Sequence, residues 1–277
     1  MQLPFEAEVM SFTFSIVIAS PETDVQPLGL GGDFDENISR IYELGYDGVE
    51  LFVEDPYSMP LKEVKEKVSK HGLRVTAIGT GLTYTKFGLS FTSPSPEIRE
   101  KAVDRIIRYI RLAEELEADV IIGSVKGRFE GSYRDGWNNL RSCLERCSRE
   151  AERAGIHILL EPLNRYESNI VNTLDEGVKL IREIGSGALK LLADTFHMNI
   201  EEKSIPEALR KVKHHLAYLH FSDSNRQAPG SGHINFEEII DVLKEIGYDG
   251  TISFEILPIP DQFSAARQAI NQIKKLV

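Results

Sequence analysis

Cysteine is nearly absent from this chain: Cys143 and Cys147 are the only two among 277 residues. They stand four apart in a segment that reads as helix, where neighbouring side chains meet in a poor geometry for a disulfide. No further Cys or His cluster lies near them, which argues against zinc. Reduced thiols in a cytoplasmic protein are expected. Long apolar runs are missing too, and none approaches the roughly 20 residues needed to cross a bilayer. The opening segment, MQLPFEAEVMSFTFSIVIAS, lacks a basic n-region and carries two Glu before its apolar run, unlike a signal peptide. Residues 1–10 have no clear pattern and are expected to form a poorly ordered extension, with Met10 an alternative start. Positive charge is also scarce: 32 Lys and Arg face 43 Asp and Glu, for a net charge of −11. That field repels polyanions and disfavours nucleic acid and anionic membranes as partners, leaving small molecules. No Pro/Ser-rich linker or shift in composition divides the chain.

What is present is a regular alternation of short β-branched runs with longer amphipathic ones, the pattern of repeated βα units. Strands are expected near 12–19, 48–53, 74–79, 119–123, 157–161, 190–194, 217–221 and 251–255. Helices are expected near 35–44, 61–70, 95–117, 135–153, 174–184, 205–214, 235–246 and 263–276. Gly72 and Gly185 read as helix C-terminal stops, and Asn235 as an N-cap. ELGYDGVELF at 43–52 recurs as EIGYDGTISFEI at 245–256, which places the second and eighth strands in equivalent positions. Eight such units in one chain of this length predict a single (β/α)8 barrel spanning residues 1–277.

Four of the strands end in a residue able to hold a divalent metal: Glu161, Asp194, His220 and Glu255, at gaps of 33, 26 and 35 residues. Each gap is about one strand, helix and return loop. In a barrel all four then fall on the C-terminal rim, where active sites lie. Three carboxylates and an imidazole form a hard donor set suited first to Mn²⁺, then Mg²⁺ or Co²⁺, with Zn²⁺ less favoured. For any one of these residues, capping a helix or pairing with a local cation is about as good an explanation. Four at successive strand ends are much harder to assign to chance.

The segments that follow these strands, EPLNRYE, DTFHMNIEE and HFSDSNR, together with FEI at the eighth strand, resemble the xylose-isomerase-like barrels and specifically their ketose 3-epimerase branch. The resemblance covers nearly the whole barrel. It implies metal ligation by Glu161, Asp194, His220 and Glu255, with Glu161 and Glu255 also serving as the acid/base pair that inverts C3 through a cis-enediolate. It further implies that His197 and Arg226 polarise the ketone and that Glu167 contacts substrate and tunes Glu161. A homodimer or homotetramer is implied as well. His233, in GSGHINF, reads as a structural loop residue.

Lys126 and Arg128, in IIGSVKGRFEG, fall near the same rim, where two cations could bind a substrate carboxylate or phosphate; a solvated charged loop explains Lys126 at least as well and Arg128 slightly less well. With TGLTY, these segments are nearest to a subgroup acting on keto-sugar acids such as 5-keto-gluconate, which puts a keto-sugar acid slightly ahead of a neutral ketohexose. The long stretch IGTGLTYTKFGLSFTSP is expected to fold over the site. An isomerase of the same superfamily, such as a hydroxypyruvate isomerase, would use the same ligands and is the first alternative. An abasic-site endonuclease needs more His ligands and a basic face, and a non-catalytic sugar-binding protein has no use for two carboxylates across a metal.

Overall fold

The computed structural model describes residues 12–277; the N-terminal extension expected over residues 1–10 lies outside the described residues. Eight parallel strands close into a barrel in sequence order. They are β1 (Thr13–Ala19), β2 (Gly48–Phe52), β3 (Arg74–Gly79), β4 (Asp119–Ile122), β5 (Ile158–Leu160), β6 (Leu189–Asp194), β7 (Leu216–Phe221) and β8 (Thr251–Phe254). The helices are α1 (Phe34–Glu43), α2 (Leu61–Lys70), α3 (Leu82–Thr85), α4 (Pro96–Leu116), α5 (Tyr133–Ala154), α6 (Leu174–Ile184), α7 (Thr195–Glu201), α8 (Ile205–Val212), α9 (Phe236–Glu245) and α10 (Gln262–Lys274). This is the (β/α)8 barrel that the alternation predicts. No helix among the described residues is long and apolar enough to cross a membrane.

Local chemistry explains the boundaries. α6 opens on a reciprocal capping box between Thr173 and Glu176 and stops at Gly185, whose φ of 71° suits a residue without Cβ. Asn235 caps α9 through its side chain, which accepts from Glu238 N–H. On α5 the buried residues Trp137, Leu140, Leu144, Cys147 and Ala151 recur at helical spacing and face the core. Truncating a fully buried one such as Leu144 to Ala costs about 2–5 kcal/mol. Two short helices, α3 and α7, fall where the sequence reads as loop; α7 is capped by Asp194, and its dense polar residues hide any apolar period.

The strand period of two sorts side chains between inside and outside. Ala77, Ile121, Leu159, Leu192 and Tyr218 meet inside the barrel, while Phe14, Ile16, Leu51 and Phe254 join the core shared with the helices. The repeated turn is genuine: Gly45 and Gly247 adopt φ of 80° and 70°, and Tyr46 and Tyr248 are buried after them. Beyond it the copies part. Phe52 lines the cavity at the barrel mouth, whereas its counterpart Phe254 faces outward and stacks on Phe14 at 6.4 Å between ring centroids. β2 and β8 are equivalent as the two neighbours of β1, but a one-residue offset reverses their faces, which corrects the simple equivalence read from the repeat.

Candidate metal centre

Each of the four strand-end residues lies two positions beyond an interior residue of its strand, Leu159, Leu192, Tyr218 or Ser253, so the pleat turns it inward as well. Glu161, Asp194, His220 and Glu255 each offer one donor atom, and these atoms lie within 4.8 Å of one another. His220 Nδ1 stands 3.3 Å from Glu161 Oε1, 3.3 Å from Glu255 Oε2 and 3.7 Å from Asp194 Oδ2. Asp194 serves two purposes with two oxygens. Oδ1 accepts from Phe196 N–H at 2.8 Å and caps α7, leaving Oδ2 toward the centre.

Glu161 Oε1 and His220 Nδ1 are buried and have no hydrogen-bond partner among the described residues. An unpaired buried carboxylate oxygen costs several kcal/mol unless something compensates it. Both orphaned atoms face the same point, together with two further carboxylates, so a divalent cation shared by the four residues fits the donor set. Burial opposes ionisation of Asp194, but Arg226, then His197 and His220, outweigh it and hold the carboxyl well below the usual range. Glu255 is likewise lowered, burial being outweighed by Arg226 and His220. Burial disfavours charge on His220 also, yet Glu50 and Glu255 push its pKa well above the ordinary value.

His197, on α7, is buried and faces this centre. Its Nδ1 accepts from Asn164, whose backbone N–H lies at 3.3 Å and side-chain Nδ2 at 2.8 Å. The proton therefore sits on Nε2, which is 3.8 Å from Asp194 Oδ2 and 4.0 Å from Glu161 Oε1. Arg226 enters from the loop after β7 at φ 62°. Its guanidinium donates to Asp194 Oδ2 at 2.6 Å and to Glu255 Oε2, and its face covers Phe196 at 4.8 Å. Burial works against its charge, but Asp194 and Glu255 more than offset that and raise its pKa. Glu167 is half-exposed and accepts from Asn164 Nδ2 at 2.8 Å, so it reaches His197 through Asn164. His233 hydrogen-bonds Ser224 on the exposed loop.

A cavity of about 300 Å³ opens above these groups. Its inner end is charged, with Glu50, Glu161, Glu255, His197, His220 and Arg226; its outer wall is largely apolar or neutral, with Val25, Leu28, Phe52, Thr80, Leu82 and Leu163. The stretch after β3 thus folds over the site as expected, through α3. Lys126 and Arg128 do not join it, contrary to the expectation of an anion subsite. Lys126 is fully buried; the 3-10 turn Ser124–Lys126 directs its ammonium under the rim, where it donates to Gly123 O at 3.0 Å and to Glu161 O. Arg128 donates outside the cavity to Tyr166 O at 3.2 Å. Three residues the sequence reading did not single out belong to the site. Asn164 sets the His197 tautomer, Glu50 hydrogen-bonds His220 Nε2 at 2.9 Å, and Gly123 leaves room for Glu161, since a Cβ there would collide with Oε2. A polar residue inside a strand, as in GVELF, was the available signal for Glu50.

A sequence model of the xylose isomerase-like TIM barrel matches residues 38–276, and the chain belongs to that family. Among its relatives, the D-psicose 3-epimerase of Ruminiclostridium cellulolyticum is 30% identical over 231 residues, covering 80% of this chain and 78% of that protein. The 3-dehydro-D-guloside 4-epimerase of Escherichia coli is 30% identical over 241 residues, covering 80% and 88%. A crystal structure of D-allulose 3-epimerase from Methylomonas sp., in complex with D-allulose, superposes with TM-score 0.84 at 24% identity over 97% of this chain and 98% of that one, which establishes the shared fold.

Proposed function

We propose that this epimerase inverts C3 of a neutral ketose, with Glu161 and Glu255 as the proton-transferring pair and Mn²⁺ held by Glu161, Asp194, His220 and Glu255. The observation that carries the reading is the placement of these two carboxylates. One follows β5 and the other β8, three strands apart round the barrel, so they reach a substrate at the mouth from different sides. A proton removed from C3 by one carboxylate and returned by the other to the opposite face inverts that carbon. The lowered pKa of Glu255 keeps it ionised at neutral pH, the form in which a carboxylate can act as the base. A bound divalent cation supplies electrophilic stabilisation of the developing enediolate. His197, with its proton on Nε2, donates to substrate oxygen, and Arg226 holds Asp194 and Glu255 in place.

The substrate is proposed neutral because Arg226, the one guanidinium among the described lining residues, is already committed to two carboxylates, and Lys126 and Arg128 lie outside the lining. A second reading follows from the Escherichia coli relative: the same proton transfer beside a C3 ketone would invert C4. Incubation with Mn²⁺ in D₂O, using neutral ketohexoses, 3-keto-glycosides and keto-sugar acids, separates the cases by NMR. Deuterium at C3 with the ketone retained at C2 supports the proposal. Label at C4 selects the second reading, aldose formation selects an isomerase, and turnover of the acids alone overturns the neutral-substrate assignment.

A further inference from the structure

Glu50 is a buried carboxylate with no lysine or arginine partner among the described residues, its one ion-pair partner being His220. It is 3% exposed, inside the barrel on β2. Its Oε2 lies 2.9 Å from His220 Nε2 and 3.1 Å from the Tyr218 hydroxyl. Tyr218 in turn hydrogen-bonds Thr76 Oγ1 at 2.7 Å, and Thr76 meets Ser15 Oγ at 2.8 Å. A carboxylate placed so deep is costly unless it is hydrogen-bonded and its charge answered nearby. Here the groups able to answer it are the imidazole and whatever positive charge that imidazole holds on its far side.

We infer that Glu50 is a positioning residue for the metal centre: it takes the Nε2 proton of His220 and so keeps the Nδ1 lone pair turned toward Glu161, Asp194 and Glu255. Imidazole has two nitrogens, and one can ligate only if the other carries the proton. A carboxylate on Nε2 settles that choice, since it accepts hydrogen bonds and cannot donate them. It also fixes the ring's rotation, together with the near-perpendicular packing of Tyr218 against His220 at 5.8 Å. Its negative charge, carried through the ring, strengthens Nδ1 as a donor. The polar chain from Ser15 through Thr76 and Tyr218 holds Glu50 itself, which explains why small hydroxyl residues stand beside the apolar interior residues Ala77, Ile121, Leu159 and Leu192.

The inference rests on the metal reading of the site, and the test separates the two. Metal-free wild type, Glu50→Gln and Glu50→Leu are titrated with Mn²⁺ by calorimetry, and thermal unfolding of each metal-free protein is followed by circular dichroism. Loss of a second-sphere partner of this kind weakens metal binding by roughly 10–100-fold, so Glu50→Leu is expected to raise Kd by that factor. Its metal-free Tm is expected to fall, because His220 Nε2–H and the Tyr218 hydroxyl lose their buried acceptor, so each Kd is measured at a temperature where the metal-free protein is folded. Glu50→Gln, which keeps an acceptor oxygen but loses the charge, falls between. In wild type loaded with Mg²⁺ and labelled with ¹⁵N-histidine, the His220 proton is expected on Nε2. Mn²⁺ binding by wild type with an unchanged Kd in Glu50→Leu, or a proton found on Nδ1, overturns the role of Glu50 alone. Failure of wild type to bind Mn²⁺ overturns the metal reading and this inference together. Should Glu50→Leu not fold, the Glu50→Gln Kd and the proton position in wild type decide.

Discussion

Asn164 donates both its backbone and its side-chain N–H to one nitrogen of His197, at 3.3 Å and 2.8 Å. The amide orientation is fixed independently, because Asn164 Oδ1 accepts from Tyr166 N–H at 3.0 Å. His197 is thereby held with its proton on Nε2, facing the cavity.

Asn164→Asp tests this directly. An aspartate side chain puts an acceptor where the 2.8 Å donor stood, which outweighs the longer backbone N–H at 3.3 Å, so the proton moves to Nδ1 and Nε2 loses its ability to donate to substrate oxygen. One hydrogen bond to a charged or developing-charge group is worth about 1.5–3 kcal/mol, or roughly tenfold to a hundredfold in rate. kcat/KM is expected to fall by that amount with metal affinity unchanged. Wild-type kinetics in the variant would refute the tautomer assignment.

Gly123→Ala places a methyl group against Glu161 Oε2. The colliding atom is the end of a flexible side chain, so the fold should tolerate it, with a Tm change of no more than about 2–4 °C for a cost near 1 kcal/mol. The carboxylate must move, and a displacement of about 1 Å costs on the order of 100-fold in rate. Turnover slowed on the order of 100-fold in a protein that still unfolds cooperatively is the expected result.

Lys126 supplies a pH signature. Burial lowers its pKa from 10.5 to about 8, partly offset by Glu161 and Glu167. Between these two values the unfolded chain binds more protons than the folded one, so Lys126 makes stability rise with pH there, and its cost is fully present below about 8. Urea unfolding of metal-free protein at several values from pH 7.5 to 10 should show a steeper rise in wild type than in Lys126→Met. Parallel profiles would place the lysine in water instead.

The two thiols should be inert in the folded state. Cys143 and Cys147 are both buried on the inner face of α5, and burial pushes Cys143 up to about 11 and Cys147 higher still. A disulfide reagent at pH 8 should titrate no thiol in the native protein and both after denaturation. Rapid modification of either before unfolding would contradict the packing of α5.

The barrel was legible because its signals are local and repeated: alternating periods, glycine stops, and caps such as Asn235. The four strand-end residues were legible because a regular topology converts their spacing into a common rim. Glu50 and Asn164 escaped because their importance lies in contacts with residues 170 and 33 positions away, which no local pattern records. Lys126 and Arg128 were placed near the rim, but sequence does not encode a side chain's direction, and one short 3-10 turn sends Lys126 beneath the site. The repeated YDG turn misled in a similar way, since a strand's face depends on a single residue of offset.

The cavity draws its two ends from different kinds of structure. Its charged end comes mainly from strand termini and the short loops directly after them, whereas residues 25–28 and 80–85 belong to longer straps that leave the barrel. These straps are clasped by one side chain, Glu54, which accepts from Thr23 Oγ1 in the first and from Lys86 Nζ in the second. On the proposed function, the groups that would move protons and the walls that would meet the sugar thus belong to separable parts of the chain. Exchange of the two straps as a pair is then expected to alter substrate preference while the strand-end residues stay unaltered.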